Sequence, residues 1–302
     1  MKKAFMMIAA VCMALVVFSA CSGKGKNQLP KKDLCLQLYS LRQLIGKPEL
    51  YAQNHEAVFK QLKEMGYTSG EAASYADGKF YGVSPEQFKA DLAAAGLTAL
   101  STHTNHQLTP QESEAHDFTA ALEWWKEAIA AAKAAGMKYV VIPSSSVPTT
   151  LAELQTRCDY FNEIGKLCNA AGLKMGYHSH SHEFRQVEGV KMLDYMIEHI
   201  DAANMFFQMD VYWAVYGQQS PVEYFQKYPG RFTMLHIKDK YQIGQSGMVG
   251  FEAIFNNAEL AGMKDFVVEL EGMPKGQDIM DGVRESAEYL LKAPFVKESY
   301  NK

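Results

Sequence analysis

Cysteine is sparse in this chain, five in 302 residues, and no two stand in a CxxC pair. That excludes the commonest cysteine-based zinc motifs. Cys158 and Cys168 fall on one predicted helix, where ten residues span about 15 Å, too far for a bridge. With Cys35 in an apolar strand, buried free thiols are expected instead of a disulfide framework. No GxGxxG and no P-loop occurs, which removes the phosphate-binding turns of open doubly wound sheets. Positive charge is not in excess either, with 30 Lys and Arg against 34 Asp and Glu. Nucleic acid is therefore not an expected partner.

The N-terminus is unlike the rest. Two lysines precede an apolar stretch from Ala4 to Ala20, and small residues lead to Cys21, the layout of a bacterial secretion signal. At about seventeen apolar positions it sits at the short limit for spanning a bilayer. Phe18-Ser19-Ala20-Cys21 resembles the lipobox of bacterial lipoproteins, with Phe18 where Leu is usual. The resemblance implies cleavage before Cys21 and lipidation on it. Residues 1–20 then form the signal and 21–32 a polar, Gly/Lys-rich tether. The mature chain carries 28 basic and 34 acidic residues, a formal charge of −6. The expected location is the bacterial cell envelope, lipid-anchored. Because the run after Cys21 is basic, a periplasm-facing anchor is expected.

From residue 33 to 302 one phrase recurs: an alanine-rich helical stretch, a glycine, then an apolar run ending in polar residues. Copies surround Gly66, Gly96, Gly136, Gly172 and Gly262. Each reads as a helix stopped by a left-handed glycine cap and followed by a buried strand. Eight strands are predicted at Leu34–Tyr39, Thr68–Ala72, Leu97–His103, Tyr139–Pro143, Lys174–His178, Met205–Asp210, Phe232–His236 and Phe266–Leu270. Helices alternate with them, among them one continuous helix over Glu112–Ala135. Some 270 residues in eight α/β pairs close most economically as a single (β/α)8 TIM barrel, and no second domain is apparent. The glycine-rich segment Gly244–Gly250 reads as a mobile site loop.

Such a barrel carries its chemistry at the C-terminal strand ends. Four consecutive ends supply strong metal ligands: His178 and His180, then Asp210, then His236, then Glu269 with Glu271. Two imidazoles and two carboxylates suit Mn²⁺ first, and Co²⁺, Fe²⁺ or Zn²⁺ equally by donor type, but not Ca²⁺.

The chain resembles the xylose isomerase-like barrels known as sugar phosphate isomerases/epimerases. LQLYSLR at Leu36–Arg42, LSTH ending at His103, YHSHSHEF, and the long run from Met209 to Asp239 carry the likeness. The resemblance implies one divalent ion on Asp210, His236 and Glu269, with a fourth ligand from the fifth strand. Many epimerases place a glutamate there, whereas His178 occupies that place here, unless Glu183 folds back. The shared chemistry it implies is enolisation of a small sugar, with an ion on the carbonyl and a base at the α carbon. Glu269 is the first candidate base, His178 or His180 the acid, and Glu71 the reserve base. Tyr39, Arg42, His103, Trp213 and Lys238 are the candidate substrate-binding residues, and His106 is a weaker one near the mouth.

Three functions follow as expectations. The first is a metal-dependent isomerase or epimerase, or a 3-keto-glycoside lyase or hydratase, acting on an unphosphorylated sugar or keto-sugar. The second is a non-catalytic sugar-binding lipoprotein. The third, an apurinic endonuclease, conflicts with the export signal and the acidic charge. Membrane contact is expected only through the lipid anchor, and a homo-oligomer is compatible with the sequence.

Overall fold

A computed structural model describes residues 31–301, so the signal, Cys21 and most of the tether lie outside the described residues. Eight parallel strands form a closed barrel in chain order: β1 (Cys35–Gln37), β2 (Ser69–Ala72), β3 (Thr98–His103), β4 (Tyr139–Ile142), β5 (Lys174–Ser179), β6 (Met205–Asp210), β7 (Met234–Lys238) and β8 (Asp265–Glu269). Closure is made by β1 on β8, with Cys35 opposite Val267 and Leu36 opposite Val268. The main helices between strands are α1 (Pro48–Met65), α2 (Pro85–Ala94), α3 (Thr119–Ala134), α4 (Leu151–Ala171), α5 (Met192–His199), α6 (Pro221–Lys227), α7 (Phe251–Asn256) and α8 (Ile279–Lys292). The expected single barrel is the fold found. Among the described residues no helix is long and apolar enough to cross a membrane.

The local chemistry explains the element ends. Ser84, Thr150 and Ser220 each accept a backbone N–H of the helix they precede, which satisfies donors that the first turn leaves open. Gly66, Gly96, Gly136, Gly172 and Gly262 all take positive φ, so each ends its helix in the conformation glycine adopts without a Cβ penalty. One expectation fails. The continuous helix over Glu112–Ala135 is broken into a short turn, Pro110–Ala115, and α3. Thr109 and Glu112 form a capping box at its start, His116 closes it in the left-handed conformation, and the Asp117 carboxylate accepts both Thr119 N–H and hydroxyl to start α3.

Side chains along each strand alternate between helices and barrel axis. Outward residues such as Leu36, Val140, Met175, Phe207, Leu235 and Val268 join the main core beneath the helices. Each contributes about 1.5–3 kcal/mol by leaving water, so this layer dominates stability. Inward, Cys35, Val141, Phe206, Met234 and Val267 plug the N-terminal half of the barrel. Gly176 is required there, because a Cβ on it would lie 2.5 Å from the Phe206 ring. Above this plug the inward positions turn polar: Gln37, Glu71, Ser101, His178, Gln208, Asp210, His236, Lys238 and Glu269 are all buried. Cys35, Cys158 and Cys168 are free and buried, as expected.

Candidate active site

The period-two alternation that plugs the barrel floor also stacks the site above it. His178 is the last but one residue of β5, Asp210 ends β6, His236 lies within β7 and Glu269 ends β8. One donor atom from each lies within 4.8 Å of the others. His180 belongs to a separate group with His182 and Glu183, so His178 is the fifth-strand member of the cluster. Glu183 does not fold back. It is fully buried, accepting the Tyr177 hydroxyl and the His180 N–H, both at 2.8 Å.

Three observations fit this cluster to a divalent ion. Asp210 Oδ1 caps the turn Val211–Tyr216 by accepting Trp213 N–H at 2.9 Å, while its Oδ2 is buried without a partner. His178 Nδ1 is likewise buried and unpartnered. Unpartnered buried polar atoms of this kind are costly unless something binds them. Burial, reinforced by the neighbouring imidazoles, also holds the His178 pKa well below its usual value, leaving the neutral ring that a metal ligand needs. Burial, with the Glu269 charge beside it, pushes the Asp210 pKa up against the opposing pull of Lys238 and His236.

Glu71 lies beneath the cluster and binds it together. Its Oε1 accepts from Gln37 Nε2 at 2.8 Å and stands 2.7 Å from His236 Nε2 and 3.1 Å from His103 Nε2. Its Oε2 accepts from Ser101 Oγ at 2.6 Å and Gln208 Nε2 at 3.0 Å. Burial raises its pKa, but the His103 and His236 imidazoles outweigh that and hold it well below the usual range. Glu71 is fully buried within this network and does not line the mouth, an enclosure that suits a positioning group better than the reserve base expected of it. Facing a carboxylate, His236 Nε2 can only donate to Glu71, which leaves Nδ1, 3.3 Å from Glu269 Oε2, as the nitrogen that could hold an ion once deprotonated.

The mouth is a cavity of about 580 Å³ lined by Tyr39, His103, Asn105, His178, His180, Glu269 and Glu271, among others. His103 lies parallel to the His236 ring at 5.2 Å, with Nε2 turned inward to Gln208 and Glu71. Tyr39 is 44% exposed at the rim. Lys238 is only 2% exposed, with Nζ 3.8 Å from Glu269 Oε2 and 3.4 Å from Glu271 Oε2. Trp213 stands 6.0 Å from the His180 ring and 5.9 Å from Lys238 Nζ, with its indole N–H unpartnered.

Other expected site residues lie elsewhere. Arg42 donates to the Tyr39 and Glu271 carbonyls and stacks on the Tyr39 ring, clipping two loops together and staying out of the cavity lining. His106 stacks on Trp124 at 4.7 Å, away from the mouth. The glycine-rich loop is tethered: the Asp239 carboxylate accepts Gly244 N–H, Ser246 N–H and the Ser246 hydroxyl. Gln37, Ser101, Gln208 and Asn105 were not singled out from sequence. Gln208 was findable, since it stands two residues before Asp210 on the same inward face.

Fold and site together define a barrel of the xylose isomerase-like class. The profile of the family described as xylose isomerase-like TIM barrel matches residues 59–293, most of the chain, and this chain belongs to that family. A solved structure described as a sugar phosphate isomerase/epimerase from Parabacteroides distasonis is 38% identical, with a TM-score of 0.80, covering 88% of this chain and all of that one. A structure of an L-ribulose 3-epimerase shares the fold at 14% identity and a TM-score of 0.67, over 86% of this chain and 93% of that one. The inosose dehydratase of Geobacillus kaustophilus is 24% identical over 210 residues, which span 64% of each chain.

Proposed function

We propose that this protein is a divalent-metal-dependent enzyme that removes a proton α to the carbonyl of an unphosphorylated sugar or keto-sugar. The observation that carries the reading is the convergence of His178, Asp210, His236 and Glu269, with two unpartnered buried polar atoms among them, at the mouth of a closed barrel. His178, Asp210, His236 and Glu269 would hold a divalent ion, which when bound would supply Lewis-acid polarisation of the carbonyl and so acidify the α carbon. The relatives' descriptions as sugar phosphate isomerase/epimerase, L-ribulose 3-epimerase and inosose dehydratase support a sugar-modifying enzyme and leave phosphorylation of the substrate to the site itself.

The chain's own groups supply the rest. β5 and β8 stand three places apart round the ring of eight, so His180 and the Glu269–Glu271 pair face a substrate from opposed sides. Glu269 and Glu271 are the bases on one side. On the other, burial lowers the His180 pKa, and its unpartnered Nδ1 can receive or return a proton. The mouth lining carries two carboxylates, and the lysine beside them, Lys238, is buried and paired with both, which favours a neutral sugar over a phosphorylated one.

One carboxylate side and one imidazole side also favour elimination or hydration of a 3-keto-glycoside over inversion by paired carboxylates. Incubating the metal-loaded protein with a 3-keto-glycoside and with simple ketoses in D₂O separates the outcomes. Aglycone release is expected, with deuterium on the α carbon where water then adds across the new double bond, and epimerisation of ketoses without release selects the isomerase branch. Absence of both release and exchange with all of them contradicts the proposal. Envelope anchoring through Cys21 belongs to the same reading. Cys21→Ala should abolish labelling by radioactive palmitate and leave an uncleaved or soluble precursor, and retained labelling would contradict it.

A further inference from the structure

The loops that frame the mouth run on into a second cavity. Thr104 and Ser144 line the first, while His106, Ser145 and Ser146 line the second, of about 540 Å³, and Asn105 lines both. Asn105 stands at the junction with its Nδ2 donated to the Ser144 carbonyl at 3.2 Å. The far wall is the first turns of α4 with Ala152 and Thr156; the near wall is the loop after β3 with Leu108 and Ser113.

This second cavity is held open by its own structure. The loop from Thr104 to Phe118 is long for a barrel connection and carries the capped turn Pro110–Ala115. It is pinned from below, where the Tyr160 hydroxyl donates to the His106 carbonyl at 2.9 Å and itself accepts Trp125 Nε1 at 2.6 Å. His106 stacked on Trp124 fixes its flank. The one strong cation in the lining, Arg157, is engaged by Ser145 Oγ and the Ser146 carbonyl, so it is not poised to hold an anion. Leu108 and Phe161 add apolar surface, serine, threonine and amide groups add neutral hydrogen-bonding surface, and of the two carboxylates Glu153 is engaged by Thr149 while Glu114 stands exposed at the edge. That mixture matches a neutral ring with one apolar face.

Resting on the proposed sugar chemistry, we infer that the second cavity is a subsite for the substituent of a glycoside, an aglycone or neighbouring sugar ring joined to the sugar in the mouth past Asn105. Either cavity is large enough to seat one ring, and a free monosaccharide would use only the first. A ring burying some tens of Å² against Leu108 and Phe161 should tighten binding about tenfold.

The experiment is equilibrium binding of phenyl hexosides and their parent hexoses to the metal-loaded protein, by calorimetry, in wild type and Ala152→Trp. Ala152 is exposed on the first turn of α4, so the substitution fills the cavity without entering the core. Ser113→Trp, from the opposite wall, is the second variant should the first disturb folding. The wild type is expected to bind the phenyl glycosides about tenfold more tightly, and either variant to erase that preference while metal and hexose binding stay unchanged. Hexose binding with no glycoside preference, or a preference that survives both variants, overturns the second subsite alone. Failure of every hexose and glycoside to bind overturns the sugar reading together with it.

Discussion

Replacing Glu71 by glutamine changes no volume and puts an amide where the network needs acceptors on both sides. Oε1 faces Gln37, His103 and His236, and Oε2 faces Ser101 and Gln208. Whichever way the amide turns, its NH2 meets at least two donors. Ser101 can rotate its hydroxyl to accept. Gln208 can invert only by giving up its 2.9 Å contact with His103. Hydrogen bonds to a charged group contribute about 1.5–3 kcal/mol each, so losing one or two should destabilise the fold by about 2–5 kcal/mol. The second effect is on the ion. His236 loses the carboxylate that fixes its tautomer, and disturbing such a partner lowers metal affinity about 10–100-fold. Urea unfolding gives the first quantity, and chelator competition with Mn²⁺ the second. Wild-type affinity, within twofold, in a folded Glu71→Gln protein would refute the positioning role.

Two further outcomes follow from separate features. Asp210→Asn keeps an oxygen to cap Trp213 N–H, so stability should change by less than about 1 kcal/mol while metal binding is lost; Asp210→Ala should lose the cap as well, about 1 kcal/mol more. Equal stability of the two variants would count against the dual role of Asp210. Gly176→Ala drives a methyl to 2.5 Å from the Phe206 ring, and overpacking of this kind costs about 1–3 kcal/mol, visible as a lower urea midpoint. An unchanged midpoint would mean that the barrel plug is looser than its geometry indicates.

The fold was legible because its signals are local. A glycine that takes the left-handed cap, an apolar run and a polar residue at its end are neighbours in sequence, and β6 begins and ends where its pattern places it. The seventh strand was placed two residues early, at Phe232–His236, because Phe232 is as apolar as the strand it precedes. The observed β7 runs to Lys238 and carries that lysine inside the barrel. The break at His116 was hidden, since a histidine in the left-handed conformation leaves no compositional mark and α3 continues the helical pattern at once.

The site divided the same way. Strand-end ligands were readable from position alone, because a barrel brings consecutive ends together. Whether a residue at a strand end meets substrate or is enclosed depends on partners from other strands. Glu71 is held by side chains from β1, β3, β6 and β7, and nothing in its own segment indicates that enclosure. Arg42 likewise sits after the first strand as a substrate-binding residue would, yet its carbonyl partners come from Tyr39 and from Glu271 at the far end of the chain.

The central claim is that His178, Asp210, His236 and Glu269 form one metal centre. Anomalous diffraction from a crystal soaked in Mn²⁺ tests it directly. The account predicts a single strong peak enclosed by those four side chains, with Glu71 still bonded to His236 behind it. A peak among His180, His182 and Glu183 instead, or no peak within the barrel mouth, would contradict it.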